Sequence, residues 1–284
     1  MITSKQMNIS LKQFMLTYKF ILNLPDFRGK DRISTLFRRY LLNPKVSKVM
    51  YDLRMELDPL EWLQIDLIRF GNMEPLTSRL YEKILIDGDV YIDVGAHVGF
   101  HTLVARHLIG QKGYVFAIDP QPYNCQKILT NWQLNDFTNI LVYVAAAGNI
   151  NDKIVLHNQR DTDKAKLSLC NDTTKTINNN PQKFEVILLR LDRLIEENHL
   201  TKIKLLKIDV EGYELEVIDG LGGSLNRVEN LIIEVLETPL NFSDRTIILF
   251  DKLESFGYQF KTVEGNFWHR NVPLPENNLW ACLK

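Results

Sequence analysis

The sequence predicts an α/β protein: a doubly wound, mostly parallel sheet behind an N-terminal helical/β extension. Three observations predict it. From residue 87 onward, short apolar runs alternate with amphipathic stretches of helix length. The first run, Val90–Val94, leads directly into a turn that carries Gly95 and Gly99. The later run at 231–236 is apolar apart from Glu234, and the run at 204–210 is apolar between Lys204, Lys207 and Asp209, as expected of strands covered on both faces.

Length and composition support one large domain with an appendage. The chain has 284 residues, of which 45% are hydrophobic and 24% charged, so a core can form without disulfide or metal staples. The division expected is a lead-in extension over 1–80 and a main domain over 81–284. A net charge of -1 leaves no electrostatic footprint for nucleic acid, which is not expected as a partner. Cys125, Cys170 and Cys282 have neither zinc spacing nor a disulfide pattern, which fits a reducing compartment. No run approaches the ~20 apolar residues of a membrane span. The apolar stretch at 14–24 is broken by Lys19 and is followed by no cleavage site, so the cytoplasm is the expected location.

In chain order, Leu36, Phe37, Tyr40 and Leu41 share a helical face, flanked by Arg32, Arg38 and Arg39 and stopped by Asn43-Pro44. This basic helix reads as packed on the main domain, or else as a lid, a partner helix or a peripheral membrane contact. Over 49–58, Tyr51, Leu53, Met55 and Leu57 alternate with Asp52, Arg54, Glu56 and Asp58, predicting a half-exposed strand. A helix is predicted over 60–70, ended by Gly71, and Pro75 opens another of about ten residues. The main domain has strands predicted at 90–94, 114–118, 140–144, 204–210, 231–236, 258–263 and 279–283. Helices fall between them, through Leu103 and Leu108, over 121–134, from near Tyr213, and over 246–256. Residues 158–182, rich in Asn, Asp and Thr, read as a long loop, either a substrate-side flap or a plain insertion.

Ligands of doubly wound sheets bind at the carboxyl ends of strands. Asp93-Val94-Gly95-Ala96-His97-Val98-Gly99-Phe100 sits at such an end. Its Gly-x-x-x-Gly spacing is neither the Gly-x-Gly-x-x-Gly of pyrophosphate sites nor a Walker loop. Asp119 closes the next strand, 24 residues after Gly95, where an acid accepts ribose hydroxyls. Together they point to a nucleoside-bearing cofactor without an obligatory diphosphate, a description S-adenosylmethionine meets. Asp93 would face its amino group, directly or through water, or else bond the turn backbone.

The block Gly88-Asp89-Val90-Tyr91-Ile92-Asp93-Val94-Gly95-Ala96-His97-Val98-Gly99 and the later Leu206-Lys207-Ile208-Asp209-Val210-Glu211-Gly212-Tyr213-Glu214 resemble the two signature blocks of the FkbM-type methyltransferases. The resemblance runs over about 49–263 and takes in Glu74-Pro75, Leu191-Asp192 and Glu234. It implies the class I, Rossmann-like fold with a seven-stranded sheet. It also implies S-adenosyl-L-methionine bound by Asp93, Gly95, Ala96, His97, Gly99, Phe100, Asp119 and Pro120, with an adenine contact near Asn139, Ile140 and Ala146. The implied activity is O-methylation of a hydroxylated small molecule, a sugar or secondary metabolite. Two positions depart from the family pattern: His97 stands where Asn is usual, and Asp119 where Glu is commoner.

Lys207, Asp209 and Glu211 lie at intervals of two in a strand expected to be central, and Glu234 interrupts the apolar run beside it. Buried charges are costly unless paired or used. Asp209, Glu211 and Glu234 are therefore the candidate bases for deprotonating an acceptor hydroxyl. A structural Lys207–Asp209 pair is the alternative, and a divalent cation held by these acids is another. For the whole protein, two other readings stand beside the methyltransferase. One is a nicotinamide oxidoreductase, which the glycine spacing disfavours, and the other is a non-catalytic methyltransferase-like interaction module. Nothing in the pattern sets the oligomeric state.

Overall fold

A computed structural model of the chain describes residues 45–59, 61–160, 163–169, 183–237 and 241–283, with isolated positions at 20, 21, 24, 25, 29, 30, 32 and 33. The helical face expected at Leu36, Phe37, Tyr40 and Leu41 lies outside them, as do residues 170–182. The chain divides into two compact units, Met1–Met73 and Glu74–Lys284, so the break falls just before the helix that Pro75 opens.

In the first unit, β1 (Lys45–Lys48) and β2 (Arg54–Leu57) form an antiparallel pair with Val46 opposite Glu56. The alternation read at 49–58 holds for Leu53, Met55 and Leu57, which are buried. Tyr51 leaves the pattern because it and Asp52 adopt left-handed backbone in a tight turn. Helix α1 (Trp62–Phe70) follows.

The second unit opens with α2 (Pro75–Ile84), whose first residue is a proline, favoured there because its φ is already helical and no N–H is lost. Then come β3 (Val90–Val94), α3 (Phe100–Ile109), β4 (Tyr114–Asp119), α4 (Pro122–Gln133) and β5 (Ile140–Ala147). A polar stretch follows, β6 (Asp152–Arg160), β7 (Asp163–Leu169) and β8 (Lys183–Leu189). The chain closes with α5 (Leu191–Glu197), β9 (Leu205–Ile208), α6 (Glu214–Leu221), β10 (Asn230–Glu234), α7 (Asp244–Ser255), β11 (Tyr258–Thr262) and β12 (Asn278–Leu283).

These strands form one ten-stranded sheet in the order β11-β12-β10-β9-β3-β4-β5-β8-β6-β7. The seven expected strands make a contiguous part of it, from β11 to β5, parallel except for β12, which runs antiparallel to both neighbours. Three further strands widen the sheet beyond β5. β8 pairs parallel to β5 over Ala145–Ala147, and β6 and β7 add antiparallel strands outside it. Residues 158–160 and 163–169 are therefore strand, where a loop was expected. Their polar composition suits an outer strand, which needs no continuous apolar run.

β3 and β9 lie at the centre and are buried along almost their whole length. Ile92, Val94, Leu206, Ile208, Leu231 and Ile233 pack with Leu249, Phe250 and Leu253 of α7 in the main core. The chain leaves β3 for β4 on one side and returns as β9 on the other. The switch point of the sheet, where a ligand crevice is expected, therefore lies between β3 and β9. No helix among the described residues is long and apolar enough to cross a membrane.

Candidate active site

At the switch point the loops leaving β3 and β9 abut. Gly95 has φ +83°, and a Cβ there would overlap the Asp209 carbonyl oxygen. Only glycine satisfies both the left-handed backbone and the approach. Gly99 (φ +87°) opens α3, and its Cα faces Ile128 of α4, so helix and turn pack closely. Between them His97 is also left-handed, at φ 50°. Asn, Asp and His tolerate that region better than other side chains. The histidine in place of the family's usual asparagine thus meets the same backbone requirement.

Asp119, 5% exposed, sits beneath this turn. Its Oδ2 accepts from the His97 backbone N–H at 2.9 Å. Its Oδ1 accepts from the Gln121 N–H at 2.9 Å and from Asn124 Nδ2 at 3.0 Å. The Gln121 bond is an Asx turn, which the short aspartate reaches within its own loop. Burial pushes its carboxyl up to about 7 against the lowering effect of those three donors. Asp93, 1% exposed on β3, accepts from Thr102 Oγ1 at 2.6 Å, while its Oδ1 has no hydrogen-bond partner within normal distance among the described residues. Burial raises its pKa, opposed by Lys207, His101 and the Thr102 hydroxyl.

The second half of the site is built on β9 and β10. Lys207 Nζ donates to Asp209 Oδ2 at 2.6 Å, with the ammonium buried and the Asp209 side chain 28% exposed. Glu234 ends β10 beside them. Burial and the Asp209 charge and hydrogen bond, with Glu211 adding to them, raise it to about 9 against the pull of Lys207. Its Oε2 is buried without a hydrogen-bond partner among the described residues. Glu211 is exposed on a left-handed residue, φ 56°, at the crest of the loop. Glu214 fastens that loop by accepting from Gly212 N–H at 3.0 Å and Val210 N–H at 3.4 Å. The three acids proposed as bases are thus electrostatically coupled around Glu234.

Behind Lys207 runs a further set of polar groups. Glu74 Oε2 accepts from Asn278 Nδ2 at 2.9 Å and lies 3.2 Å from His101 Nε2. Burial would raise Glu74, but His101, Lys207 and Asn278 outweigh it and hold it at about 2. Glu276 accepts from the N–H groups of Leu76 (2.9 Å) and Thr77 (2.8 Å), capping α2 from two hundred residues away. Tyr81 and Tyr91 share a 2.8 Å hydroxyl contact below Asp93.

The cofactor residues read from the sequence divide into two groups. Gly95, His97, Gly99, Asp93, Asp119 and Pro120 cluster at the carboxyl ends of β3 and β4. Ala96 and Phe100 flank the same turn, but both side chains are buried; Ala96 packs against Ala117 and Ile128, leaving the backbone for any ligand. Ala146 lies at the carboxyl end of β5. Asn139 and Ile140 do not join them. Ile140 pairs with Val115 at the start of β4, whereas Asp119 pairs with Val144. Those two residues stand at the opposite edge of the sheet, where Asn139 instead bonds the Gln111 carbonyl at 2.6 Å. The adenine position inferred for them is corrected accordingly, since ligands of this sheet gather at strand carboxyl ends. Glu74, His101, Asn278 and Glu214 were not singled out as site residues; only the Glu74-Pro75 and Glu211–Glu214 motifs signalled their neighbourhood. Among the described residues no group of three or more His, Cys, Asp or Glu is arranged to hold a metal ion.

The chain resembles known proteins. The chain is 28% identical over 194 residues to the hexuronic acid methyltransferase AglP of Haloferax volcanii, covering 68% of this chain and 74% of that protein. It is 22% identical over 200 residues to Methyltransferase 1 of Beauveria bassiana, covering 65% and 80%. A crystal structure of a methyltransferase FkbM from Methylobacillus flagellatus aligns with 15% identity and a TM-score of 0.45 over 95% of this chain, which spans 58% of that protein's length. A family model for the methyltransferase FkbM domain matches residues 93–260. That match begins at Asp93 and takes in the Gly95 turn, Asp119, the Lys207–Glu214 loop and Glu234, more than half of the whole sequence, and the chain belongs to the FkbM family of S-adenosylmethionine-dependent methyltransferases.

Proposed function

We propose that the protein O-methylates a hydroxyl of a small polyhydroxylated acceptor, a sugar or sugar-like metabolite. The observation that carries this reading is the meeting of Asp209, Glu234 and Glu211 at the ends of adjacent central strands, next to the glycine turn. An alcohol is a weak nucleophile at neutral pH, so a carboxylate placed to take its proton assists the transfer. S-Adenosylmethionine supplies an electrophilic methyl on a sulfonium sulfur, and the bonding pair leaves with the sulfur.

The residues at the strand ends suit that cofactor. Asp93 has one buried acceptor oxygen that no described residue takes, which suits the amino group directly or through water. Asp119 has three of its roughly four acceptor positions filled, leaving one for a ribose hydroxyl. The backbone of Gly95–Phe100, with Pro120 and Ala146, would border the rest of it. On the acceptor side, Asp209 orients the hydroxyl and receives its proton as the new O–C bond forms. Alignment of the reacting atoms by the two abutting loops contributes alongside.

The Haloferax relative's name supports a sugar acceptor. A hexuronic acid carries both hydroxyl and carboxyl groups. The acidic character of the present site favours the hydroxyl, because the Asp209 and Glu211 carboxylates repel an anionic group more than a neutral one. Calorimetric titration with S-adenosylhomocysteine, with NADH in parallel, is the first test, followed by a screen of neutral glycosides and hexuronates with labelled cofactor. Saturable binding of S-adenosylhomocysteine alone and base-stable label on a glycoside are expected. Selective NADH binding, or label confined to a base-labile ester, would overturn the reading.

A further inference from the structure

Lys207 places a full positive charge inside the sheet, at 2% exposure. In the β3–β9 register it stands directly beside Asp93, and beside Ile232 in β10. An isolated ammonium at that depth would be driven to lose its proton. Here the pull of burial is outweighed by Asp209, Glu74, Asp93 and the Tyr81 side chain, so its affinity for the proton is raised instead. Three carboxylates thus act on one ammonium, and they differ in freedom. Asp93 is sealed in, with one oxygen on Thr102. Glu74 is held by Asn278 and flanked by His101. Asp209 is the most open of the three, its side chain 28% exposed against 19% for Glu74, and it makes the close 2.6 Å bond to the ammonium.

Side chains two apart in a strand share a face. Lys207 and Asp209 therefore project the same way from the line of β9, with Lys207 below and Asp209 at the mouth. Glu234 couples to both: Asp209 favours its protonated form, and Lys207 opposes that. The three groups form a graded series from a buried cation, through a shared carboxylate, to an acid that retains its proton at neutral pH.

We propose that Lys207 is the positioning residue of the transfer reaction: backed by Glu74 and Asp93, its ammonium fixes the Asp209 carboxylate at the acceptor mouth beside Glu234. The proposal rests on the reading of Asp209 as the group that receives the acceptor's proton. In that step the acceptor oxygen bonds the methyl carbon, the carbon–sulfur pair stays on sulfur, and the hydroxyl proton passes to Asp209. Without the ammonium, Asp209 would lose the partner that holds it and would be free to rotate.

Carboxyl-carbon NMR of the full chain, labelled in Asp and Glu side chains and assigned through Asp209→Asn and Glu234→Gln, reads this directly. In Lys207→Met the titration midpoints of the pair are expected to rise by about 1–3 pH units relative to wild type. In Lys207→Arg, which keeps the charge, they are expected to stay close to wild type. Glu74→Gln reads the backing charge without touching the pair, and serves if Lys207→Met fails to fold. It removes a negative charge near Lys207 and is expected to lower the midpoints. Midpoints unmoved in a folded Lys207→Met, or unmoved in Glu74→Gln where the former does not fold, would overturn the proposal. The functional reading fails separately: turnover retained in Asp209→Asn would remove Asp209 as the proton acceptor whatever the titration shows.

Discussion

Gly95 and Asp209 touch backbone to backbone, so closely that a Cβ on Gly95 would overlap the Asp209 carbonyl oxygen. One residue follows β3 and the other follows β9, the two central strands. The glycine that reads in the sequence as room for a ligand is thus also the contact that sets the distance between the two halves of the site. Relaxing it would change the alignment on which transfer depends.

Gly95→Ala is expected to cost about 2–5 kcal/mol, from left-handed strain together with overpacking. Gly212 is a control, because it is also left-handed (φ +99°) but has open space around it. Gly212→Ala should carry strain alone, about 1–2 kcal/mol. Urea unfolding of both variants checks this, and equal losses would show that the Gly95–Asp209 contact is unimportant.

The parts of the fold that the sequence made legible are those where one physical demand dominates. β3, β9 and β10 are buried on both faces and read as apolar runs, and the turn after β3 needs its glycines. β6 and β7 were not legible, because outer strands pair through backbone with no apolar run to announce them. Asn139 and Ile140 came from family likeness, and only the β4–β5 register shows that they stand at the wrong edge. The Glu276 cap on α2 joins residues two hundred positions apart, a distance no local pattern encodes. Lys207 was visible as a charge in an apolar strand, yet two of the carboxylates that share it, Glu74 and Asp93, lie on other parts of the chain.

Glu276 gives a stability prediction. Its carboxylate takes the free N–H groups at the start of α2 and also the Thr77 hydroxyl at 2.9 Å. A negative charge is favoured at that helix end. Glu276→Gln keeps the shape and loses the charge, and about 0.5–2 kcal/mol should go with it. Glu276→Ala should cost more, since it leaves the Thr77 N–H unsatisfied. Chemical denaturation of the full chain measures both, and an unchanged midpoint in the alanine variant would refute the cap.

Glu234 makes stability fall as pH rises. Its carboxyl titrates at 4.5 as a free side chain and at about 9 in the fold. Between those values the folded chain holds a proton that the unfolded chain has released, so raising the pH favours unfolding. The effect is absent below about 4.5 and complete above about 9. Unfolding midpoints at pH 6 and 9 should therefore differ, with the lower one at pH 9. Glu234→Gln should flatten that slope, and an equally steep slope in the variant would assign it to another group.

Asp119 should make cofactor affinity depend on pH. Burial raises it to about 7, and a ribose hydroxyl bonds the ionised form, so binding must release the proton that Asp119 holds below that value. Affinity for S-adenosylhomocysteine should rise from pH 6 to pH 8, roughly tenfold in all, and then level off. The charges that bear on Asp119 are few: Asp93 opposes ionisation, and the donors from His97, Gln121 and Asn124 favour it. His97 also adjoins the site and carries an ionisable ring. His97→Asn removes it while keeping a side chain that accepts left-handed backbone, and the slope should survive. Asp119→Asn should abolish the slope and weaken binding at pH 8, with some loss of stability because three buried donors lose a charged partner. Calorimetry across the pH series in all three proteins separates the cases: a slope lost in His97→Asn would give the titration to the imidazole, and a flat wild-type profile would remove Asp119 from the ribose contact.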